Sequence, residues 1–252
     1  MKNEITIVSI EKKKTKYVVT TNDGEYDFDE DTIIRFYVFK DKVFSKDEFS
    51  NILESVNVNK AMNKAINYLS FKSRTINEMD KYLYEFENRS LVIDKLIELG
   101  YLNDESYSKS YLDYCIRNKK GPLFFENKLL EKGIDKELIS KYKAMYTDDN
   151  QINSIKMITD SFVLKNNTKP VNKIKTSLIN KLIRDGFEKE FIYNSISRFE
   201  FIDNSMDSLK RDYEKKLLQL KNRYDDEYEI KKRLTAYLIN KGYDYSNIKN
   251  LF

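Results

Sequence analysis

Hydrophobic spacing changes once along this 252-residue chain, near residue 45. Before that point, apolar and β-branched residues alternate with polar ones, which is typical of half-buried strands. The sequence NDG at 22–24 separates the runs 16–21 and 25–28 and predicts a hairpin turn. TIIRFYVF at 32–39 predicts a further strand. Residues 1–57 are therefore predicted to form a small β module with an exit helix.

Beyond that point, apolar residues recur every three or four positions, the period of a helix with one buried face. Four places have residues typical of a helix start. Ser45 with Glu48 and Thr75 with Glu78 have the spacing of a capping box, and Pro122 and Pro170 can occupy the first turn of a helix. A stripe of leucine and tyrosine predicts a long helix over 204–223. The remainder of the chain is therefore predicted to be helical.

Four of the six glycines lie in one recurring frame. Each follows a leucine by four positions and precedes a large apolar or aromatic residue: Leu96, Gly100 and Tyr101; Leu129, Gly133 and Ile134; Leu182, Gly186 and Phe187; Leu238, Gly242 and Tyr243. In a Schellman helix end, a glycine takes a left-handed conformation and the residues at these two flanking positions touch. The frame therefore predicts four helix ends.

The same frame predicts a structural repeat. Three isoleucines each follow their glycine by six residues: Ile139, Ile192 and Ile248. The three glycines are 53 and 56 residues apart, a period that suits three-helix units. Gly100 is out of step, so we assign the first copy to Leu83, Glu87 and Ile93 and place Gly100 at the junction between two units. The alternative is that the chain merely reuses one kind of helix end.

The predicted fold is mainly α: tandem three-helix repeats in an elongated curved array, with a small N-terminal β module. The predicted segments are 1–57 for the β module and 58–101, 102–147, 148–202 and 203–252 for the four repeats.

Composition argues against most catalytic chemistry. The chain has no His and a single Cys, so it lacks the commonest general base and cannot form a thiolate zinc site. Its glycines fit neither a P-loop nor a dinucleotide fingerprint. The acidic pairs at 148–149 and 225–226 fall at predicted helix starts, where they suit the helix dipole. We expect Cys115 to be a small buried filler, and we expect no enzyme activity, no cofactor and no metal.

The sequence also suggests where the protein resides. Its N-terminus, MKNEITIVSIEKKK, lacks the pattern of a signal peptide, and no run of about 18 apolar residues occurs. We expect a cytoplasmic protein, without a membrane partner and monomeric.

Positive charge is concentrated beyond the β module. Residues 1–57 hold 9 basic and 12 acidic residues, whereas 58–252 hold 36 and 29. No acid lies between Lys165 and Arg184, and four basic residues share one helical face there: Lys169, Lys173, Lys181 and Arg184. A second basic stretch contains Arg117, Lys119, Lys120, Lys128 and Lys132. Such faces can neutralise phosphates without reading sequence. The alternative is a solvated face, because lysine is abundant throughout.

Three segments carry the motifs of a known family: LSFKSRTINEMDKYL (69–83), VIDKLIELGYLNDESYSKSYL (92–112) and RNKKGPLFFENKLLEKGIDKELI (117–139). The matching residues are Arg74, Thr75, Glu78 and Met79, then Gly100 to Asp104, then Arg117, Gly121, Pro122, Leu129, Lys132, Gly133 and Ile134. Together they resemble the RecX regulatory proteins. Asn103 replaces an Asp of the pattern, and Phe124 stands where the pattern has a basic residue. The resemblance continues in register to 199, and in 1–57 it rests on long family members with a similar extension.

The resemblance implies a non-enzymatic modulator of the RecA recombinase. Such a protein binds along the groove of the RecA filament on single-stranded DNA and mostly inhibits ATPase, strand exchange and coprotease activities, in recombination and the SOS response. The matched motif adds Arg74 to the expected contacts with the filament or with DNA phosphate. Two rivals stay open: a helical-repeat regulator of transcription that binds duplex DNA, and a protein-interaction scaffold without nucleic acid.

Overall fold

The computed structural model describes residues 4–14 and 16–252. Residues 1–3 and 15 of the predicted β module lie outside the described residues. The chain divides into two compact units. The first unit comprises the residues up to Tyr107 together with Lys132–Ile134, and the second comprises Ser108–Glu131 and Asp135–Phe252.

The first part of the chain holds a four-stranded antiparallel sheet and four helices. The strands are β1 (Glu4–Lys13), β2 (Lys16–Thr21), β3 (Glu25–Phe28) and β4 (Val43–Ser45), in the order β3-β2-β1-β4. The helices are α1 (Glu30–Arg35), α2 (Lys46–Phe71), α3 (Ile76–Tyr82) and α4 (Arg89–Glu98).

The rest of the described chain is helical. Its helices are α5 (Asp104–Arg117), α6 (Pro122–Glu131), α7 (Lys136–Lys143), α8 (Asp148–Asn166), α9 (Val171–Arg184), α10 (Lys189–Arg198), α11 (Met206–Lys221), α12 (Glu227–Asn240) and α13 (Tyr245–Lys249). The predicted fold class, mainly α in three-helix repeats with a small N-terminal sheet, is confirmed. The exact repeat boundaries stay a prediction, and residue 57 lies inside the continuous helix α2.

The β module contains one confirmed and one wrong prediction. The hairpin forms as expected between β2 and β3, and the N–H of Thr21 donates to the Gly24 carbonyl at 2.8 Å. The predicted strand over 32–39 is wrong, because its first half is helix α1. The Asp29 carboxylate accepts a hydrogen bond from the N–H of Thr32 at 2.7 Å and caps that helix. This local cap outweighs the β propensity of the run.

The four glycine-marked helix ends are confirmed. Gly100, Gly133, Gly186 and Gly242 have φ angles of 76°, 75°, 83° and 94°. The contact predicted for Tyr101 is wrong, however, because 62% of this residue is exposed and Leu102 is buried instead. At the other three ends, the predicted apolar partner is at most 5% exposed. The three isoleucines of the frame are each at most 2% exposed, so the frame describes the packing of the repeats.

Candidate functional site

Within the second unit, the start of α6 meets the end of α9 through backbone groups. The N–H of Gly121 donates to the Asp185 carbonyl at 2.7 Å, and the N–H of Leu123 donates to the Gly186 carbonyl at 3.0 Å. First-turn N–H groups have no partner inside their own helix. The end of α9 therefore supplies acceptors that α6 lacks, and the two helices are held end to end.

Two glycines make this approach possible. A Cβ atom on Gly121 would lie 2.2 Å from the carbonyl oxygen of Gly186, and one on Gly186 would lie 2.3 Å from the backbone nitrogen of Phe124. Atoms that are not bonded do not approach this closely. The sequence marks Gly186 as a helix end, but no sequence signal identifies Gly121 as its packing partner.

An ion-pair cluster lies at the same place. The carboxylate of Asp185 accepts hydrogen bonds from Lys120 at 2.6 Å and from Lys181, one on each oxygen. Burial alone would raise the pKa of Asp185, but the hydrogen bonds from the two lysines outweigh burial and hold that pKa below its ordinary value. The carboxylate is thus ionised and fixed, and it ties the loop before α6 to the end of α9.

The structure therefore joins two basic stretches, through contacting residues that are 65 positions apart in the sequence. We use the name basic junction for the residues around Asp185, namely Arg117, Lys119, Lys120, Lys181 and Arg184. Arg117 and Arg184 are exposed, and neither has an ion-pair partner among the described residues. Five basic residues accompany one buried acid, which leaves the basic junction strongly positive.

Lys119 has an unusual backbone within the basic junction. It follows α5 with φ of 54°, and the N–H of Lys120 donates to the Cys115 carbonyl at 2.8 Å, as in a Schellman helix end. Glycine is the residue that this position favours. A lysine here has a backbone cost of about 1–2 kcal/mol.

A polar helix face extends from the basic junction along α9. The exposed residues of this α9 face are Lys169, just before the helix, and Asn172, Lys173, Thr176, Asn180 and Arg184. It contains no acidic residue, and Lys169 and Lys173 have no ion-pair partner in the described part of the chain. The opposite side of α9 packs into the core through Ile174, Leu178 and Leu182. Lys169, Lys173 and Arg184 of the predicted basic face therefore lie on one exposed side of α9, whereas Lys181 pairs with Asp185, and a binding role for them stays a prediction.

The other predicted residues have intramolecular partners. Lys128 pairs with Glu131 at 2.6 Å, and Lys132 pairs with Glu78 at 2.7 Å. The Arg74 guanidinium lies 3.8 Å from the ring centre of Tyr68. These three side chains contribute to the packing of the described residues and are not brought into the basic junction.

Lys132 and Gly133 repeat the end-to-end arrangement within the first unit. The Lys132 carbonyl accepts hydrogen bonds from the Thr75 hydroxyl at 2.9 Å and from the Asn77 amide at 3.1 Å, at the start of α3. A Cβ atom on Gly133 would lie 2.3 Å from the Asn77 side chain. Gly242 packs less tightly on the start of α9, because its Cβ would lie 3.3 Å from the Lys173 nitrogen. At α12, as at α3, the N-cap side chain also caps the helix from within, since Asp226 accepts a hydrogen bond from the N–H of Tyr228.

Removing the Asp185 charge should weaken the basic junction in a pH-dependent way. We expect Asp185→Asn to cost about 1–3 kcal/mol at neutral pH, because two hydrogen bonds to charged groups are lost. The folded pKa lies below the ordinary value of 3.8, so the stabilisation is present above pH 4 or so and disappears as the pH falls through the folded pKa. Urea unfolding of wild type and variant should therefore differ at pH 7 and converge in acid. An equal difference at both pH values would contradict this assignment.

Cys115 is confirmed as a buried residue in α5. Burial raises the pKa of its thiol to about 12, so almost no thiolate exists at neutral pH. We expect a maleimide to leave the folded protein unlabelled and to label it fully in denaturant, as mass spectrometry would show. Rapid labelling of the folded protein would contradict the buried placement.

Within residues 4–14 and 16–252, no helix is long and apolar enough to cross a membrane. The same residues contain no cluster of three or more His, Cys, Asp or Glu that could hold a metal ion.

Comparison with known proteins shows what the chain is similar to. Residues 103–142 match the model of the RecX second three-helix domain. A regulatory protein RecX from Listeria welshimeri is 29% identical over 98% of this chain and 95% of its own length. One from Staphylococcus aureus is 28% identical over 98% of this chain and 93% of its own length. The chain is thus similar to RecX regulatory proteins over 98% of its length.

Two solved structures have a similar fold. A crystal structure of a regulatory protein RecX has a TM-score of 0.58 at 21% identity and covers 77% of this chain and all of that one. RecX from Lactobacillus salivarius has a TM-score of 0.52 at 26% identity, over 58% of this chain and 98% of that one. The matched residues 103–142 include Gly121 and the start of α6, so a recognised RecX domain supplies half of the basic junction.

Proposed function

We propose that this protein binds the RecA filament on single-stranded DNA and modulates, mostly by inhibition, the ATPase, strand-exchange and coprotease activities of RecA. It would thereby act in recombination and the SOS response. One observation carries the proposal: in a chain similar to RecX regulatory proteins, two basic stretches meet at one junction and continue into a helix face without acids.

The physical basis is phosphate neutralisation. Lys169, Lys173 and Arg184 are exposed and free of ion pairs among the described residues, so binding an anion requires no internal pair to break. Contacts of this kind position a protein along a nucleic-acid backbone independently of base sequence. Each contact is weak, but several contacts on one rigid chain add through effective concentration. Sequence-independent binding suits a partner that coats DNA of any sequence.

The backbone at Lys119 adds support. Its left-handed conformation would favour glycine, and lysine gains no ion pair there among the described residues. Residues in unfavourable conformations cluster at sites of function. A positive side chain on this fixed backbone supports a role of the basic junction in binding.

In this proposal the protein acts by binding, as a cytoplasmic monomer, and catalyses no reaction. Its relatives carry the name of regulatory proteins. The helix dipole explains the acidic pairs at the starts of α8 and α12, so they need no catalytic role.

Titration of RecA ATP hydrolysis tests the proposal. RecA on single-stranded DNA should lose ATPase activity as this protein is added at low salt. A higher salt concentration should shift the titration to higher protein concentration, because phosphate contacts weaken steeply with salt. A parallel pull-down on immobilised RecA–DNA filaments separates binding from inhibition. If the protein neither bound the filament nor altered hydrolysis at either salt concentration, the proposal would be wrong.

A further inference from the structure

The segment 34–43 presents apolar side chains to solvent. Ile34, Tyr37, Phe39 and Val43 are 68%, 76%, 55% and 46% exposed. This is the region where the sequence predicts a strand and the structure has a helix end and a turn. Places where local sequence preference and fold disagree are often sites of function.

Tyr37 is in a strained conformation. It follows α1 with φ of 50°, and Val38 donates to the Ile33 carbonyl at 3.0 Å, as in a Schellman helix end. The four glycine-marked helix ends place glycine at this position. Tyrosine costs free energy here, and its exposed ring recovers little of it by packing. Stability therefore does not explain why an aromatic residue is present.

The turn that carries the two rings is held in place. Val38 is buried, the N–H of Asp41 donates to the Ile7 carbonyl, and the N–H of Ile7 donates to the Lys42 carbonyl, both at 2.9 Å. The aromatic rings at Tyr37 and Phe39 are thus presented from a fixed backbone. A rigid platform loses little entropy when it binds a partner.

Basic residues flank the rings in the sequence. Arg35, Lys40 and Lys42 accompany a single acid, Asp41, within residues 35–44. The ammonium of Lys42 lies 5.7 Å from the ring centre of Phe39. The further acids Glu30 and Asp31 lie in the first turn of α1, whereas Arg35 lies in its last turn. Basic residues therefore outnumber acidic ones in the segment that carries the rings, with Glu48 of α2 close to Lys42.

We propose that Tyr37 and Phe39 form a stacking platform for the bases of single-stranded nucleic acid, with Arg35, Lys40 and Lys42 contacting its phosphates. Every base has a flat face, so exposed rings between cations bind single strands with little sequence preference. Duplexes keep their bases stacked internally and cannot use the platform. This site lies in the first unit and is independent of the α9 face and of any effect on RecA.

Fluorescence anisotropy with labelled oligo(dT) and the full chain tests the platform. We expect Tyr37→Gly and Phe39→Ala each to weaken binding at least about fivefold, with the salt dependence unchanged, because stacking displaces no counterions. Tyr37→Phe should bind as wild type does. The midpoint of thermal unfolding of Tyr37→Gly should not fall, since glycine relieves the strained backbone.

Matched controls decide between outcomes. Tyr228 is equally exposed, at 75%, on α12, and Tyr228→Ala should leave binding unchanged. Oligo(U) shows whether the platform prefers DNA or RNA. If Tyr37→Gly and Phe39→Ala weakened binding to a duplex of the same length as much as binding to oligo(dT), the proposal would be overturned. Unchanged oligo(dT) affinity in both Tyr37→Gly and Phe39→Ala would overturn it as well. So would weakened binding by Tyr37→Phe. If the affinity for oligo(dT) were unchanged but the effect on RecA were lost, Tyr37 and Phe39 would contact a protein instead.

Discussion

Replacing Gly186 with alanine should cost about 3–5 kcal/mol of folding free energy, far more than the same change at Gly100. Both glycines have left-handed backbones, with φ of 83° and 76°, so both variants incur about 1–2 kcal/mol of backbone strain. A Cβ on Gly186 also collides with the backbone of Phe124, whereas nothing lies within 4 Å of a Cβ on Gly100. Overpacking and the loss of the two hydrogen bonds between α6 and the end of α9 account for the larger cost at Gly186.

Gly121→Ala separates the two contributions to that cost. Gly121 does not have a positive φ, so alanine there adds the collision with Gly186 without the conformational strain. Urea unfolding of the three variants, followed by far-ultraviolet circular dichroism, gives the comparison. We expect the order Gly186→Ala, Gly121→Ala, Gly100→Ala, from most to least destabilised. Equal losses at Gly186 and Gly100 would show that α6 and α9 do not meet as described.

Reversing two charges on the α9 face should weaken binding to RecA–DNA filaments at least about tenfold at low salt. The double variant Lys173→Glu and Arg184→Glu removes two exposed cations and introduces two groups that repel phosphate. Neither residue has an internal ion pair in the described chain, so the fold should be preserved. The salt dependence of binding should also decrease, by a slope of about 1 for each phosphate that the variant no longer neutralises.

A second double variant makes the same change of net charge elsewhere. Lys210 and Lys232 are exposed on α11 and α12, and Lys210→Glu with Lys232→Glu should leave binding close to wild type. If both double variants weakened binding equally, overall charge and not the α9 face would be responsible. If neither did, filament binding would use another surface.

Much of this fold can be predicted because its signals are local. Capping boxes at Ser45 and Thr75 and left-handed glycines at helix ends depend on only a few neighbouring residues, and the structure has them where the sequence places them. The strand predicted over 32–39 failed for a related reason. Its β-branched residues have strand propensity, but Asp29, which precedes the run, caps a helix and changes the outcome.

The candidate site was harder to predict because it depends on contacts between distant segments. Lys120 and Lys181 lie in separate basic stretches of the sequence, and no periodic pattern shows that both bind Asp185. The acid-free stretch from Lys165 to Arg184 ends one residue before that carboxylate. Arg74 and Lys132 match family motifs, yet the structure places them against Tyr68 and Glu78, which lie within the protein.

The starts of two helices contact segments that come later in the chain. Thr75 and Asn77 at the start of α3 bond to Lys132, and Gly121 and Leu123 at the start of α6 bond to residues after α9. At α6 the later segment supplies acceptors that the start of the helix lacks, whereas α3 is capped by its own Thr75 and Glu78. A ribosome makes the earlier segment first, so the start of α6 waits for a successor that has not yet been synthesised. The caps at Thr75 on α3 and Asp226 on α12 come from within and need no successor.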